Sequence, residues 1–463
     1  MVWKKAAVTA FGLITAMMPS FASAQEGAEP VYFVGAQLVD VETGAIQGKS
    51  AIKVTGELIS AIGTTDTLAI PDEAEVVDVS GTYVIPGLIN VHEHMNTPPK
   101  ASYTEAMMRR ELYGGVTAVR DPADDTRLLS EIARAAKLGE IPSPDIYYAT
   151  FMAGPSFFKD PRTQASASGE VAGKAPWMQA ITDDTDIPQA IAWARGTSAT
   201  GIKIYANLPG HLVKALTEEA HKQGMLAWSH SMVFPATPSD SIDAGVDVVS
   251  HICDFAYEAF DEKPTSYPDR QNFPIPAEKF AAGDNPVLQD LFERMAEQGT
   301  ILDPTLFVYQ PRPEFARYSD APPRCPYNAI TGMLLQAYDA GVPMVTGTDG
   351  FSAWDDPYLS VHIEMDLMQR AGMEPVDVLK SATLNGAKAI GQEELMGTIQ
   401  PGKLANLVFL NENPLNDINN TKAIELVVKR GTQYPRSNYI SLTEEEARPR
   451  PMDSVRISTP VME

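Results

Sequence analysis

The feature that most constrains the fold is a pattern of strand, loop and helix that repeats through the middle of the chain. Eight apolar runs of strand length end in polar residues, and segments with helical periodicity follow most of them. Eight parallel strands with intervening helices form a (β/α)8 barrel, in which chemistry takes place at the carboxyl ends of the strands. The predicted strands are Val84–His92, Gly115–Asp121, Asp145–Thr150, Gly201–Tyr205, Met225–His230, Val246–His251, Thr300–Leu306 and Val342–Asp349. The predicted helices are Thr104–Tyr113, Arg127–Leu138, Leu212–Gln223, Ala277–Gln298, Ala329–Ala340 and Leu359–Ala371.

The two ends of the chain carry short alternating strands separated by turns. Residues 31–85 are typical of an antiparallel sheet, and further strands are predicted at 406–410 and 423–428. Neither end alone has enough strands for a stable sandwich, so we expect them to meet in one domain. The sequence therefore predicts an α/β protein with a (β/α)8 TIM barrel at 86–392 and a small β-sandwich domain formed by both chain ends. Its halves are 25–85 and 393–440, and residues 441–463 form a C-terminal tail.

The first 24 residues have the pattern of a signal peptide. Lys4 and Lys5 form a basic start, residues 6–18 are apolar, and small residues at 22–24 precede Gln25. The apolar run is too short to span a bilayer, which disfavours the alternative of an uncleaved anchor. We therefore expect a periplasmic or secreted protein that has no membrane attachment once residues 1–24 are removed.

The charge balance argues against nucleic acid as a partner. The chain has 36 Lys and Arg residues against 60 Asp and Glu, for a net charge of −24. A surface this acidic repels phosphate backbones and also disfavours a polybasic membrane patch. With nucleic acid and membrane surfaces disfavoured, we expect the partner to be a small-molecule substrate.

The chain has two cysteines, Cys253 and Cys325. Because they are not arranged as a C-x-x-C pair, a thiolate zinc finger is excluded. An oxidising compartment permits a disulfide between them, but a chain of 463 residues does not need one to be stable. The sequence does not place the two cysteines within bridging distance, and it favours free thiols over a bond while leaving both open.

Side chains with metal-ligand chemistry stand at the ends of the predicted barrel strands. His92 and His94 are two apart on one strand, so both imidazoles project to the same face. Lys203 lies within an apolar strand, where its ammonium faces a large desolvation cost unless a carboxylate compensates it or the amine is chemically altered. The other strand-end residues of this kind are His230, His251 and Asp349. Their convergence at one barrel mouth predicts a metal site.

The other histidines, His211, His221 and His362, lie on predicted helices and are interpreted as surface residues. Competing motifs are absent from the sequence. There is no P-loop, no dinucleotide-binding glycine fingerprint, no G-x-S-x-G elbow and no H-E-x-x-H zinc motif.

Several segments of the chain together resemble the amidohydrolase superfamily. Asn90 and Asn406 depart from the pattern, since each stands where the family usually has Asp. The resemblance covers about residues 31–430 and is strongest to the imidazolonepropionase-related and prolidase-like branch. The matching segments are 86–94 (PGLINVHEH), 114–121 (GGVTAVRD), 347–349 (GTD), 382–387 (ATLNGA) and 397–408 (GTIQPGKLANLV).

The resemblance implies a binuclear site for two divalent metal ions, most often zinc. His92, His94 and Asp349 would hold one ion, and His230 and His251 the other. Lys203 carrying a carboxyl group, a carbamate, would bridge them, which converts a costly buried cation into an anionic ligand. The implied enzyme cleaves a C–N amide bond with a metal-bridged hydroxide, and Asp349 is the catalytic proton shuttle.

The substrate is less constrained by the sequence. Candidate contacts are Tyr205, Asn207 and Tyr257, with Asp254 and the arginines Arg312, Arg317 and Arg324 as further candidates. An arginine that binds a carboxylate would suit a dipeptide or an N-acyl amino acid, which we favour. Alternatives are a cyclic amide, lactone or phosphotriester hydrolase, or a non-catalytic binding protein of this fold. The long connections 151–186 and 309–328 are typical of substrate-contacting loops, and the superfamily often forms homo-oligomers.

Overall fold

The computed structural model describes residues 29–310, apart from 96, 98 and 168, and residues 324–449. These residues form the predicted (β/α)8 barrel with a separate β-sandwich. The predicted signal peptide, Arg312 and Arg317 lie outside the described residues. Among the helices that are described, none has the length and apolar character needed to cross a bilayer.

Strands and helices alternate along the middle of the chain, as the apolar pattern predicts. The described strands are β1 (Val31–Val34), β2 (Gln37–Val39), β3 (Ile46–Gln47), β4 (Ser50–Thr55), β5 (Leu58–Thr64), β6 (Glu75–Asp78), β7 (Tyr83–Pro86), β8 (Leu88–Asn90), β9 (Val116–Asp121), β10 (Asp145–Ala153), β11 (Lys174–Ala175), β12 (Met178–Ala180), β13 (Gly201–Ile204), β14 (Leu226–His230), β15 (Val248–Ser250), β16 (Ile301–Asp303), β17 (Leu407–Leu410), β18 (Ile424–Lys429) and β19 (Thr432–Pro435). The described α-helices are α1 (Ala101–Tyr113), α2 (Thr126–Lys137), α3 (Pro161–Ala167), α4 (Ile187–Gly196), α5 (Gly210–Lys222), α6 (Pro238–Asp243), α7 (Pro286–Gln298), α8 (Leu306–Tyr309), α9 (Tyr327–Asp339), α10 (Ser360–Ala371), α11 (Pro375–Ser381) and α12 (Leu384–Ala389).

Both chain ends build the β-sandwich. One sheet has the order β5-β4-β1-β6, and the other, β19-β18-β17-β7-β2-β3, joins strands from the two ends. Phe33 of the first sheet stacks on Phe409 of the second, with their ring centroids 5.4 Å apart, in a core of buried Val, Ile and Leu side chains. The expectation of purely antiparallel pairing is wrong. β1 pairs with β6, and β2 with β7, in parallel, because long connections return the chain in the same direction.

The barrel wall consists of seven parallel strands, β8, β9, β10, β13, β14, β15 and β16, each paired with the next. The predicted eighth strand, 342–349, is an irregular segment with an isolated bridge between Leu302 and Met344. It still closes the barrel. The Leu302 N–H donates to the Pro343 carbonyl at 2.8 Å on one side, and the Val91 N–H donates to the Thr346 carbonyl at 3.0 Å on the other.

Three further expectations are corrected by the structure. The predicted helix Ala277–Gln298 begins only at Pro286, because the Asn285 side chain caps it by accepting from the backbone N–H of Val287 and Leu288. His362 is buried rather than exposed. It lies on α10 where that helix packs against the sandwich, and its Nε2 is 2.9 Å from the Gly114 carbonyl.

The third correction concerns the cysteines, which form a disulfide across 72 residues of sequence. Cys253 follows the sixth strand of the barrel, and Cys325 precedes α9 in the seventh connection. The bridge joins the loops that follow two neighbouring barrel strands, at a Cα–Cα distance of 6.0 Å. The argument against the bond came from the length of the chain. Chain length says nothing about which loops meet in the fold.

Candidate metal centre

The two histidines after β8 and the aspartate after the eighth barrel segment converge on one point. Asp349 Oδ1 lies 3.3 Å from His92 Nε2 and 3.1 Å from His94 Nε2. The ligand atoms of the three residues lie within 4.8 Å of one another, which is the spacing of groups that hold one metal ion. Each residue follows the carboxyl end of its barrel segment, where (β/α)8 barrels place their chemistry.

The backbone at this point is held in conformations that non-glycine residues rarely adopt. Asp349 has φ 52° and His251 has φ 75°, both in the left-handed region. Gly347 permits the close approach, because a Cβ at that position would lie 2.1 Å from Asp303 Oδ1 and 2.8 Å from His92 Cβ. Strain of this kind persists where the surrounding structure over-determines it, and it clusters at functional sites.

The Nδ1 atoms of three histidines face protein partners, which orients their other ring nitrogen. His92 Nδ1 donates to Asp303 Oδ2 at 2.6 Å, and His251 Nδ1 lies 2.8 Å from the Thr305 hydroxyl. His94 Nδ1 lies 3.8 Å from Asp124 Oδ1. Partners of this type fix the ring and the tautomer of metal-binding histidines.

Asp303 is the functional residue that sequence reasoning missed. Burial by itself would raise the pKa of its carboxyl, but His92 and Lys203 outweigh burial and hold that pKa below its ordinary value. The carboxylate is therefore ionised and accepts the His92 hydrogen bond as a charged group. The available signal was a polar residue ending a short apolar run, Ile301–Asp303.

His230 and His251 form the second half of the site. Their ring centroids are 4.6 Å apart, and the His251 ring lies 5.3 Å from that of His92. Unlike the other three rings, His230 has a buried Nδ1 for which the described residues supply no hydrogen-bond partner. A buried nitrogen without a partner costs free energy unless something binds it.

Lys203 is fully buried in the barrel interior, on β13. Its Nζ donates to the Ser250 hydroxyl at 2.9 Å. Burial lowers the pKa of this amine to about 7; Asp303 and Asp349 oppose the shift, and Arg120 adds to it. A large fraction of the amine is therefore neutral near pH 7, which is the nucleophilic form that combines with carbon dioxide.

The donor set fits divalent metal ions. It contains three oriented Nε2 atoms, the unpartnered Nδ1 of His230 and the carboxylate of Asp349, and a carbamate on Lys203 would add two oxygens. Burial leaves the pKa of His251 at about 4 and that of His230 well below its ordinary value, so both rings are neutral at pH 7, as ligands must be. Nitrogen and oxygen donors of this kind suit zinc.

A cavity of about 440 Å³ opens above these residues. His94, His230, His251 and Asp349 form its floor, and the predicted contact Tyr205 lines it with its ring centroid 3.9 Å from that of His230. The two other predicted contacts are not among the residues that line this cavity. They are Asn207, whose Nδ2 donates to the Ser156 hydroxyl, and Tyr257, which accepts from Arg324. Asp254 and Arg324 line the cavity.

The surface interpretation of two histidines agrees with the structure. His211 Nε2 lies 2.6 Å from Asp183 Oδ1, and His221 Nε2 lies 2.9 Å from Asp247 Oδ2, both on exposed helical positions remote from the cavity lining. These two therefore do not belong to the metal centre.

Comparisons with known proteins find partial likenesses to this chain. The model of the amidohydrolase family matches residues 328–433. An imidazolonepropionase of Geobacillus kaustophilus is 40% identical over 74 residues, 16% of this chain and 17% of that protein. An ochratoxinase of Aspergillus niger is 34% identical over 115 residues, 23% of each chain. This chain thus spans about a fifth of the length of these curated relatives.

The likeness in fold to solved structures extends over most of the chain. A solved Xaa-Pro dipeptidase with methionine bound in its active site has a TM-score of 0.68 at 22% identity, with 88% of this chain and all of that chain covered. The chain therefore contains a segment that matches the amidohydrolase family model, and its fold of barrel and sandwich is similar to that of the solved dipeptidase.

Replacing Asp303 by Asn tests the orientation of His92. We expect zinc affinity to fall about 10- to 100-fold, because the neutral amide no longer holds the charged hydrogen bond to Nδ1. Competition with a chromophoric chelator measures the affinity. Asp247→Asn is the matched control, since it alters a similar His–Asp pair on the surface. Equal affinity of Asp303→Asn and wild type would contradict the role.

Replacing Lys203 by Met tests the burial of its amine, in metal-free protein without carbon dioxide. Between pH 7 and 10.5 the unfolded chain binds a proton on Lys203 that the folded chain does not, so wild-type stability rises with pH across this window. We expect Lys203→Met to be more stable in urea by several kcal/mol near pH 7 (at about 1.4 kcal/mol per pKa unit), with the difference shrinking toward pH 10. A difference independent of pH would show that the amine is not desolvated.

Proposed function

We propose that the protein hydrolyses a C–N amide bond in a small-molecule substrate, with two zinc ions and a carbamate on Lys203. The observation that carries the proposal is the carboxylate of Asp349, which lies between His92 and His94 at the floor of a substrate-sized cavity. The relatives include proteins named imidazolonepropionase, ochratoxinase and adenine deaminase, and their matched segments are short.

The bound ions would supply Lewis-acid chemistry, which polarises a carbonyl and lowers the pKa of water toward neutrality. His92, His94 and Asp349 would hold one ion, His230 and His251 the other, and the modified Lys203 would bridge them. The protein supplies the orientation of these groups through Asp303 and Thr305.

Asp349 would move the proton. Burial by itself raises the pKa of this carboxyl, but His92 and His94 outweigh burial and hold it well below its ordinary value, so the group is an anion. Its side chain remains 26% exposed to the cavity, which allows it to touch a reacting group there. We infer that Asp349 accepts a proton from the attacking water and delivers it to the leaving nitrogen.

We also propose that this reaction takes place outside the cytoplasm. The signal-peptide pattern of residues 1–24 supports export, and the bond between Cys253 and Cys325 is of a kind that persists in oxidising compartments. Sequencing the mature N-terminus of the exported protein checks the proposal, with Gln25 expected as the first residue.

Asp349→Asn tests the proton-transfer role. We expect the variant to retain its metal ions, because an amide oxygen can still occupy the ligand position, while kcat for amide hydrolysis falls by about 10²- to 10⁴-fold. Steady-state kinetics with elemental analysis of the same sample separates the two effects. Near-normal turnover by Asp349→Asn would contradict the assignment.

A further inference from the structure

A second cavity, of about 550 Å³, lies between the barrel helices and the sandwich. Residues at the C-terminal end of α1 and the N-terminal end of α10 form one side of it, and the other sides come from residues 354–359 and from the chain between 422 and 442. None of its lining residues lines the cavity over the candidate metal centre. Its chemistry is therefore separate from that of the site described above.

The lining of this second cavity carries more positive than negative charge. Three basic residues, Arg110, Lys422 and Arg436, line it together with two acidic ones, Asp355 and Asp356. The whole chain, by contrast, has a net charge of −24. Within the described residues, none of the three bases forms an ion pair with a carboxylate; their hydrogen bonds go to carbonyl, hydroxyl and amide oxygens.

Arg110 is committed to the protein itself. Its NH2 donates to the Ser352 hydroxyl at 2.9 Å and to the Asp356 carbonyl at 2.8 Å, which holds the segment that follows Asp349. Burial raises the pKa of the neighbouring Glu111 carboxyl to about 7, and the charge of Arg110 opposes that rise. Arg110 therefore supports the cavity wall and is not available to a ligand.

Arg436 has an available edge. Its NH1 donates to the Tyr113 carbonyl at 2.9 Å, and its guanidinium carbon lies 4.5 Å from the centroid of the Tyr439 ring. Nε and NH2 have no hydrogen-bond acceptor in the described part of the chain, and neither atom is among those closed to solvent without a partner. The two nitrogens can thus donate parallel hydrogen bonds to one carboxylate.

The charges around Arg436 favour an incoming anion. Burial lowers the pKa of this guanidinium; Tyr439 opposes the shift, and the positive charge of Arg110 adds to it. No carboxylate of the described residues is among the groups that act on it. A partly desolvated cation in this state gains free energy when an anion binds.

Lys422 supplies a second positive charge. Its Nζ lies 4.3 Å from the centroid of the Tyr358 ring and donates to the Asn419 side-chain oxygen, so two of its three donor positions remain. Burial lowers the pKa of this amine, and three carboxylates oppose the shift from beyond ion-pair distance: Asp366, Asp417 and Asp356.

The two cations flank one buried ring. Burial lowers the pKa of His362 to about 4, its hydrogen bond to the Gly114 carbonyl opposes the shift, and Lys422 and Arg436 both add to it. The His362 ring is therefore neutral, and both of its nitrogens already face protein partners. It places Lys422 and Arg436 at one part of the cavity without competing for an anion.

Aromatic side chains form much of the remaining wall. Trp354 and Tyr358 are 39% and 45% exposed, and Tyr439 lines the cavity beside Arg436. Exposed rings of this size gain free energy when a flat apolar group covers them. Such a wall next to two cations suits a ligand with a ring at one end and a negative charge at the other.

We propose that this second cavity is a binding site for a small aromatic carboxylate. The carboxylate accepts from Nε and NH2 of Arg436 and from the ammonium of Lys422, and the ring packs on Tyr358, Tyr439 and Trp354. Binding is non-covalent and does not depend on the proposed amide hydrolysis.

Calorimetric titration of the zinc-loaded full chain with three probes tests the ligand class. The probes are benzoate, its neutral analogue benzamide, and inorganic phosphate, an anion without a ring. We expect benzoate to bind at least about tenfold more tightly than benzamide, because a hydrogen bond to a charged group contributes about 1.5–3 kcal/mol. Phosphate should bind more weakly than benzoate, because it has no ring to cover the aromatic wall.

Two variants locate the site. In Arg436→Met, benzoate binding should weaken at least about tenfold. Lys422→Met should weaken it about two- to fivefold, and this variant leaves the hydrogen bond to the Tyr113 carbonyl intact if loss of Arg436 disturbs folding. Arg134→Met is the matched control, because it removes the same charge from a surface position paired with Glu131 and Glu140.

Benzoate bound at the metal centre would not respond to these substitutions, so the binding that Arg436→Met removes measures the second cavity. Equal binding of benzoate by wild type, Arg436→Met and Lys422→Met would overturn the proposal. Benzamide binding as tightly as benzoate would contradict the role of the charge, and phosphate binding as tightly would contradict the aromatic class.

Discussion

The structure at the barrel mouth depends on the desolvation of one lysine amine. Lys203 lies in a parallel strand with no exposure to water, where a free ammonium would be strongly destabilising. Its nearest compensating charges, Asp303 and Asp349, also serve His92 and His94. One buried cluster therefore balances the lysine, orients the imidazoles and concentrates negative charge where we propose that divalent ions bind.

The second determinant is the set of loops beyond the strand ends. The insertion after β10 supplies Phe157 and Arg162, and the loop after β15 supplies Asp254, Tyr267 and Arg270. The disulfide joins that loop to the seventh connection beside Arg324. The barrel thus positions the candidate ligands, while these irregular segments shape the cavity.

The barrel and the candidate ligands could be predicted from the sequence because each depends on the pattern of residues within a short segment. An apolar run ending in His, Lys or Asp identifies a strand and its carboxyl end, and barrel topology then brings these ends together. The contacts that orient the histidine rings could not be predicted from the sequence. Asp303 lies 211 residues from His92 in sequence, and nothing near either residue identifies the partner.

The same limit explains the other differences. The partnership of Cys253 with Cys325, the burial of His362 under the sandwich and the parallel pairing of β1 with β6 all depend on how separate elements pack. The pairing of Arg324 with Asp254, 70 residues away in sequence, is likewise a tertiary property. Local sequence predicts elements and strand ends, whereas long-range packing selects which polar groups remain available.

The most direct measurement is the metal content per chain by elemental analysis, on protein purified without chelators, together with intact mass before and after acid treatment. The account predicts two divalent ions per chain, in line with the two sets of ligands, and loss of one carbon dioxide on acidification from Lys203. A chain with one ion or none and an unmodified Lys203 would contradict the binuclear hydrolase and with it the reason for burying that amine.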